Sequence, residues 1–130
     1  MNKVIKLSLL LSLLLLVADA DAGKITCPPA SLVKAVTFTS VIVYDKQNSI
    51  WELLSAPFVH DGVTWNVAYG FEMPGVQTVS EAISRGQASY QSAALIIQSP
   101  EPEPIPGYLF CDYTVNGMAY WIQALSPPGQ

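Results

Sequence analysis

The side chains best suited to acid–base chemistry are scarce in this sequence. His60 is its single histidine and stands directly before Asp61 and Gly62. A serine-type hydrolase needs a carboxylate on one ring nitrogen and a nucleophile on the other. Adjacent residues meet that geometry poorly, and no Gly-x-Ser-x-Gly motif is present. We therefore expect a turn at 60–62 and no enzymatic activity, with a small hydrolase as the less favoured alternative.

The acidic residues give little more support for catalysis. Glu52 and Glu72 each lie between two apolar neighbours, and a glycosidase needs one of its acids in an apolar pocket. Strand alternation places Glu72 on the outside. No glycine-rich phosphate loop and no metal-ligand spacing of His, Cys and acids is present, so no cofactor is expected from these motifs.

The two cysteines, Cys27 and Cys111, are the remaining reactive groups. In an exported chain they favour one structural disulfide. A redox or metal-binding thiol pair is the alternative, but zinc sites of the structural kind need four ligands at short spacing.

The N-terminus indicates export. Residues 1–22 have the pattern of a signal peptide: Lys3 and Lys6, an apolar run at 7–18, and an Ala-Asp-Ala cleavage pattern at 20–22. An uncleaved anchor is the alternative, which the short apolar run disfavours. We expect a periplasmic or secreted protein, without stable membrane insertion after cleavage, made of one small domain at 23–130.

Charge excludes one large class of partner. The chain has a net charge of −4, with its few basic residues scattered. Binding to nucleic acid or to an anionic membrane needs clustered Lys and Arg, so neither is expected.

Three segments rich in β-branched and aromatic residues predict a three-strand antiparallel meander, at 36–44, 50–54 and 63–71. The third alternates strictly, which predicts one buried face. That face carries Val63, Trp65, Val67, Tyr69 and Phe71.

Two helices are predicted. Pro28-Pro29 suits the start of a short helix at 30–34. Thr78 and Glu81 form a capping-box pattern that starts the main helix. Its predicted apolar stripe includes Val79, Ile83, Gly86 and Tyr90, where Gly86 would permit close approach to the sheet.

Asn116-Gly117 between two apolar runs predicts a C-terminal hairpin with a two-residue turn. Tyr113 then faces Tyr120, and Cys111 faces Ile122. One hairpin face carries no charge and is assigned to the core. The other face is mixed, and its three large aromatic residues form a candidate binding patch. They are Tyr108, Phe110 and Trp121.

Two positions for the main helix remain open. It covers either the uncharged hairpin face or the mixed face, and only the first leaves the aromatic patch accessible. The proline-rich segment 99–106 is expected to be a polyproline-II-like loop, or a PxxP ligand if a partner reads it. A disordered tail is expected at 126–130. The predicted fold is α+β, an antiparallel sheet of about five strands with the main helix on one face.

Several residues together resemble a known family. The chain resembles short exported proteins of intracellular gamma-proteobacteria, some of them labelled haemin-binding. The residues that carry the resemblance are Cys27-Pro28, Trp51, Trp65 and Cys111-Asp112-Tyr113. The resemblance implies an exported binding protein for an apolar ligand such as haemin, with His60 as a candidate axial ligand. The alternative is an envelope accessory or inhibitor-like protein that binds another protein.

Overall fold

The computed structural model describes residues 24–114 and 120–130. The predicted signal peptide and the predicted Asn116-Gly117 turn lie outside these residues. Within them the fold is α+β, as predicted, with two helices and one antiparallel sheet. The helices are α1 (Ala30–Lys34) and α2 (Val79–Ser92). The strands are β1 (Phe38–Asp45), β2 (Ile50–Ser55), β3 (Phe58–His60), β4 (Val63–Glu72), β5 (Ile96–Ile97), β6 (Glu103–Ile105), β7 (Tyr108–Thr114) and β8 (Ile122–Ser126).

The sheet has eight described strands, so the prediction of about five was wrong in number. The five predicted segments all form strands, namely β1, β2, β4, β7 and β8. The additional strands are two or three residues long. β3 follows β2 along β4 after the interruption at Pro57, and both β5 and β6 pair with β7. Segments this short carry no detectable alternation.

The strand order is β1-β2-β4-β8-β7-β5, with β3 on β4 and β6 on β7. The N-terminal meander β1-β2-β4 is therefore confirmed. The hairpin joins it through β8, the last of the described strands, which lies between β4 and β7. A strand between two neighbours has both of its hydrogen-bonding edges satisfied, so β8 holds the two halves of the sheet together.

The predicted hairpin register was wrong by two residues. Tyr113 pairs with Ile122 rather than with Tyr120, and Cys111 pairs with Ala124. Because strand side chains alternate with a period of two, a shift of two leaves every residue on its predicted face. Cys111, Tyr113, Ile122 and Ala124 are accordingly all buried in the core.

Helix α2 packs on that same side of the sheet. Thr78 caps it by accepting a hydrogen bond from the Glu81 backbone N–H, as predicted. The buried residues of α2 are Ala82, Gly86 and Tyr90, whereas Val79, predicted in the stripe, is 56% exposed. Gly86 does permit close approach, because a Cβ there would lie 2.3 Å from a Leu53 methyl carbon.

Aromatic rings and the disulfide complete the core. The buried Tyr90 ring contacts Phe38 edge-on at 4.8 Å and Tyr69 at 5.2 Å, and its hydroxyl donates to the Val33 carbonyl oxygen at 2.7 Å. The Cys27–Cys111 disulfide is present and joins α-carbons 5.8 Å apart. It ties the segment before α1 to β7, across 84 positions of sequence.

β4 is buried on both faces between Trp65 and Gly70, so its strict alternation did not mark one solvated face. The indole of Trp121 covers Gly70, and the C-terminal segment covers Asn66. Asn66 exchanges two hydrogen bonds with the backbone of Gly129, at 2.9 and 2.8 Å. The end of the chain, for which we expected a disordered tail, thus contacts the central strand. In the part of the chain that is described, no helix is long and apolar enough to cross a bilayer.

Candidate functional site

The position of α2 decides between the two arrangements left open by the sequence. Leu53 and Tyr69 contact α2, at Gly86 and Ser89 respectively. The uncharged hairpin face shares their side of the sheet, within one core cluster. The mixed hairpin face therefore lies on the opposite side of the sheet, where neither of the two described helices covers it.

An aromatic groove of about 540 Å³ lies on this opposite side. Four aromatic residues line it: Tyr44, Tyr108, Phe110 and Trp121. The other lining residues are Glu52, Ile105, Gln123 and Leu125. The groove falls within the size range of ligand-binding clefts, roughly 300–1,000 Å³. The structure thus brings the three predicted patch residues together in one depression and adds Tyr44 and Glu52 to them.

Trp121 is the central residue of the aromatic groove. Its ring lies on Gly70, where a Cβ would come within 2.3–2.5 Å of three ring carbons. Its indole Nε1–H donates to Oε2 of Glu52 at 2.9 Å, and its carbonyl accepts from the Gly70 N–H at 2.9 Å. The Tyr44 ring contacts the indole at 4.7 Å with an interplanar angle of 65°. Backbone, carboxylate and ring contacts therefore fix the orientation of this indole.

Strand register explains how distant segments meet here. Glu52 of β2 is directly opposite Gly70 of β4, and β8 follows Trp121 on the far side of β4. Tyr108 and Phe110 are two residues apart on β7, so both point to the same side. The site consequently depends on β8 lying between β4 and β7.

The groove side of the sheet is acidic. Besides Glu52 it carries Glu72, whose Oε2 accepts from the Tyr120 hydroxyl at 2.9 Å. This hydrogen bond raises the pKa of the Tyr120 hydroxyl. Asp112 accepts from the Gln123 amide at 2.9 Å. Neither Glu52 nor Glu72 lies in the closed apolar pocket that a glycosidase acid needs, because Glu52 is bonded to an indole and Glu72 is exposed.

His60, the other predicted site residue, does not line the groove. Its Nε2 is 3.2 Å from the Thr26 hydroxyl and 3.5 Å from Oδ2 of Asp61. The Thr26 hydroxyl and backbone N–H both donate to the Asp61 carboxylate, and these bonds lower the pKa of that carboxyl. A catalytic triad would place the carboxylate and the hydroxyl on different ring nitrogens, whereas here both are near Nε2.

The turn that carries His60 forms as predicted. Asp61 and Gly62 both have positive φ, at 51° and 73°. Asp and Gly tolerate this conformation, which a two-residue hairpin turn requires at both positions. The turn joins β3 to β4 and, through Asp61, anchors the segment that precedes Cys27.

Neither cysteine is available as a metal ligand or as a free thiol, because both are in the disulfide. Among the residues described, no group of three His, Cys, Asp or Glu side chains lies close enough together to hold a metal ion.

Comparisons with protein families, curated proteins and solved structures found no match to this chain.

One residue in the sequence, Gly70, could have indicated that Tyr44 and Glu52 belong to the groove. Gly70 lies inside β4 between the large aromatic residues Tyr69 and Phe71, and a glycine inside a strand often marks close approach of another group. That group is the Trp121 indole, which in turn holds Glu52 and contacts Tyr44. Only the strand order identifies which aromatic residue fills the space.

Proposed function

We propose that this chain is an exported, non-enzymatic binding protein and that the aromatic groove is its ligand-binding site. The observation that carries the proposal is the convergence of four aromatic residues and one carboxylate on a groove of about 540 Å³. Clefts lined by rings with a few fixed polar groups are the usual form of small-molecule sites. The indole is already held in place before any ligand arrives, which lowers the entropic cost of binding.

Export is part of the proposal. The disulfide supports it, since disulfides persist in oxidising compartments. The signal-peptide pattern at 1–22 and the resemblance to short exported proteins point the same way. Detection of the processed protein outside the cytoplasm, by fractionation and N-terminal sequencing, tests this half.

Haemin fits the groove poorly. His60 lies against Thr26 and Asp61, outside the groove, so the axial donors available among the lining residues are the Tyr44 and Tyr108 hydroxyls. The Glu52 carboxylate would repel the propionates of haemin. We therefore expect no Soret shift at micromolar haemin. A Soret shift that is lost in Tyr108→Phe but kept in His60→Ala would show that haemin does bind in the groove.

The three indole N–H groups allow a direct test of the site. Trp121 lies in the groove, Trp65 is buried with its Nε1 donating to the His60 carbonyl, and Trp51 belongs to the α2 side. Each Trp→Phe variant identifies one indole signal in NH-correlated NMR. A fragment set of neutral aromatic, sugar and cationic compounds should shift the Trp121 signal and leave the Trp65 signal in place.

The control is a variant that changes the groove without removing an indole. Phe110→Ala should weaken the binding of the fragments that shift the Trp121 signal. Val59→Ala, at an exposed site on β3, should leave their binding unchanged. If every fragment that binds moves only Trp51, or if no fragment moves Trp121, the groove is not the ligand site.

A protein partner is the second candidate function, favoured by β1. Among the described strands it pairs with β2 alone, and its residues Ile42 and Val43 are 44% and 49% exposed. The opposite edge is protected, because β6 carries Pro104. An extended segment of a partner could therefore add to β1. Ile42→Lys should then abolish capture of that partner, whereas Trp121→Phe should not.

A further inference from the structure

We infer that the ligand of the aromatic groove is a small organic cation with a quaternary ammonium group. The inference rests on the proposed function, in which the groove is the binding site, and it adds the chemical class of the ligand.

The rings provide the first argument. One face of the Trp121 indole lies on Gly70, so its other face points away from the sheet. Tyr44 contacts the indole at an angle of 65°, and the rings of Tyr108 and Phe110 line the same groove. Rings set at steep angles offer several ring surfaces to one bound group. The negative faces of such rings attract cations, and Trp does so most strongly.

Charge provides the second argument. Glu52 is the charged residue of the groove, and in the described chain no Lys or Arg forms an ion pair with it. The basic residues of the described chain lie elsewhere. Lys34 donates to the carbonyls at the end of α2, Arg85 pairs with Glu81, and Lys24 and Lys46 line other depressions. A half-buried carboxylate without a cation of its own favours a ligand that brings one.

Hydrogen bonding provides the third argument and separates the classes of ligand. Two of the polar side chains of the groove already bond within the protein: Glu52 accepts from Trp121, and Gln123 donates to Asp112. A sugar needs many free donors and acceptors, and a guanidinium pairs best with both oxygens of one carboxylate. A quaternary ammonium needs neither, because it has no N–H. It requires ring faces and negative charge, which the groove supplies.

Choline chloride is the probe, measured by the shift of the Trp121 indole signal in NH-correlated NMR. The matched control ligand is its neutral isostere, in which a tert-butyl group replaces the trimethylammonium group. We expect choline to bind in the millimolar range and the isostere to bind about tenfold more weakly, because shape is kept and only the charge is lost. Equal affinity of the two would overturn the inference.

Glu52→Gln is the matched protein variant. The glutamine keeps an oxygen that can accept from the Trp121 indole, so the ring stays oriented while the charge is removed. Choline should bind about fivefold more weakly to this variant. Glu81→Gln removes the same charge from α2, on the other side of the sheet, and should leave the affinity unchanged. An unshifted Trp65 signal shows that each variant is folded.

The outcomes separate this inference from the proposed function. If neutral aromatic fragments shift Trp121 and choline does not, the groove is a binding site but not one for cations. If nothing shifts Trp121, both proposals fail. Phosphocholine distinguishes a lipid headgroup from a free cation: its phosphate should weaken binding beside Glu52 and Glu72 if the natural ligand is a free cation, and binding tighter than choline would indicate a headgroup instead.

Discussion

Replacing Gly70 with alanine should reveal how tightly Trp121 is seated on the sheet. The backbone of Gly70 is outside the left-handed region, so alanine is compatible with it. The new Cβ, however, would lie 2.3 Å from Cε2 and 2.5 Å from Cδ2 and Cζ2 of the indole. The ring has to move, which strains its hydrogen bond to Glu52. Overpacking of this kind costs about 1–3 kcal/mol of unfolding free energy.

The same substitution also has a stabilising effect on the strand. Alanine is better than glycine inside a strand by about 0.5–1 kcal/mol. The net loss for Gly70→Ala in the natural chain is therefore about 0–2.5 kcal/mol, from the overpacking cost less this gain. In a Trp121→Ala background no indole is displaced, so only the gain remains. The same substitution should then stabilise the protein by about 0.5–1 kcal/mol.

Urea unfolding followed by far-ultraviolet circular dichroism measures all four free energies of this double-mutant cycle, without relying on tryptophan fluorescence. Gly86→Ala is the control, since its clash is with Leu53 on the other side of the sheet. Its effect should be the same in both backgrounds. If Gly70→Ala is equally destabilising with and without Trp121, the indole does not rest on Gly70 and the groove is built differently.

Three further outcomes are expected. Reduction of the disulfide should lower the free energy of unfolding by about 4.5 kcal/mol, because the bond closes a long loop in the unfolded chain. Urea unfolding with and without reductant measures this change. An unchanged unfolding midpoint would contradict the pairing of Cys27 with Cys111. Burial raises the pKa of Tyr90 above its ordinary value of 10.0, so its contribution to stability is complete below pH 10 and is lost at higher pH. Tyr90→Phe should therefore be less stable than the natural chain at pH 8, by about 1 kcal/mol for the lost hydrogen bond, but should lose less stability between pH 8 and pH 11. Thr26→Val should raise the pKa of the Asp61 carboxyl toward its ordinary value, as followed by carboxyl NMR; no change would mean that the Thr26 hydroxyl does not bond to Asp61.

The hairpin shows what a strand pattern can and cannot predict. Alternation identified the core face of β7 and β8 correctly, including Cys111 and Tyr113. It could not identify the partners, because a slip of two residues preserves every face. The turn residues were the only local information on register, and the observed pairing of Tyr113 with Ile122 needs a longer connection than Asn116-Gly117 alone.

The missed strands have a different cause. β3, β5 and β6 are held by their neighbours rather than by their own composition. β6 includes Pro104, which lacks a donor and is compatible only with an edge position. The sequence correctly excluded a helix or a central strand at 99–106, but an edge pairing of three residues leaves no periodic signal.

The aromatic groove was predictable in part. Tyr108, Phe110 and Trp121 were identified from the mixed face of the hairpin, and all three line the groove. Tyr44 and Glu52 were not assigned to it, because they come from β1 and β2, and their proximity depends on the order of strands. His60 was a candidate only because of its residue type. In the structure its ring contacts Thr26 and Asp61 and lies outside the groove.

The placement of β8 has a consequence for synthesis. β8 is synthesised after the other seven described strands, yet it lies in the middle of the sheet, between β4 and β7. During synthesis one edge of β4 is unpaired until β8 has been made. Cys111 is synthesised long after Cys27, so the disulfide also forms late. A chain that stops short of residue 122 would leave two separate half-sheets. A nascent or truncated copy therefore exposes unpaired strand edges to chaperones and proteases until β8 has been synthesised.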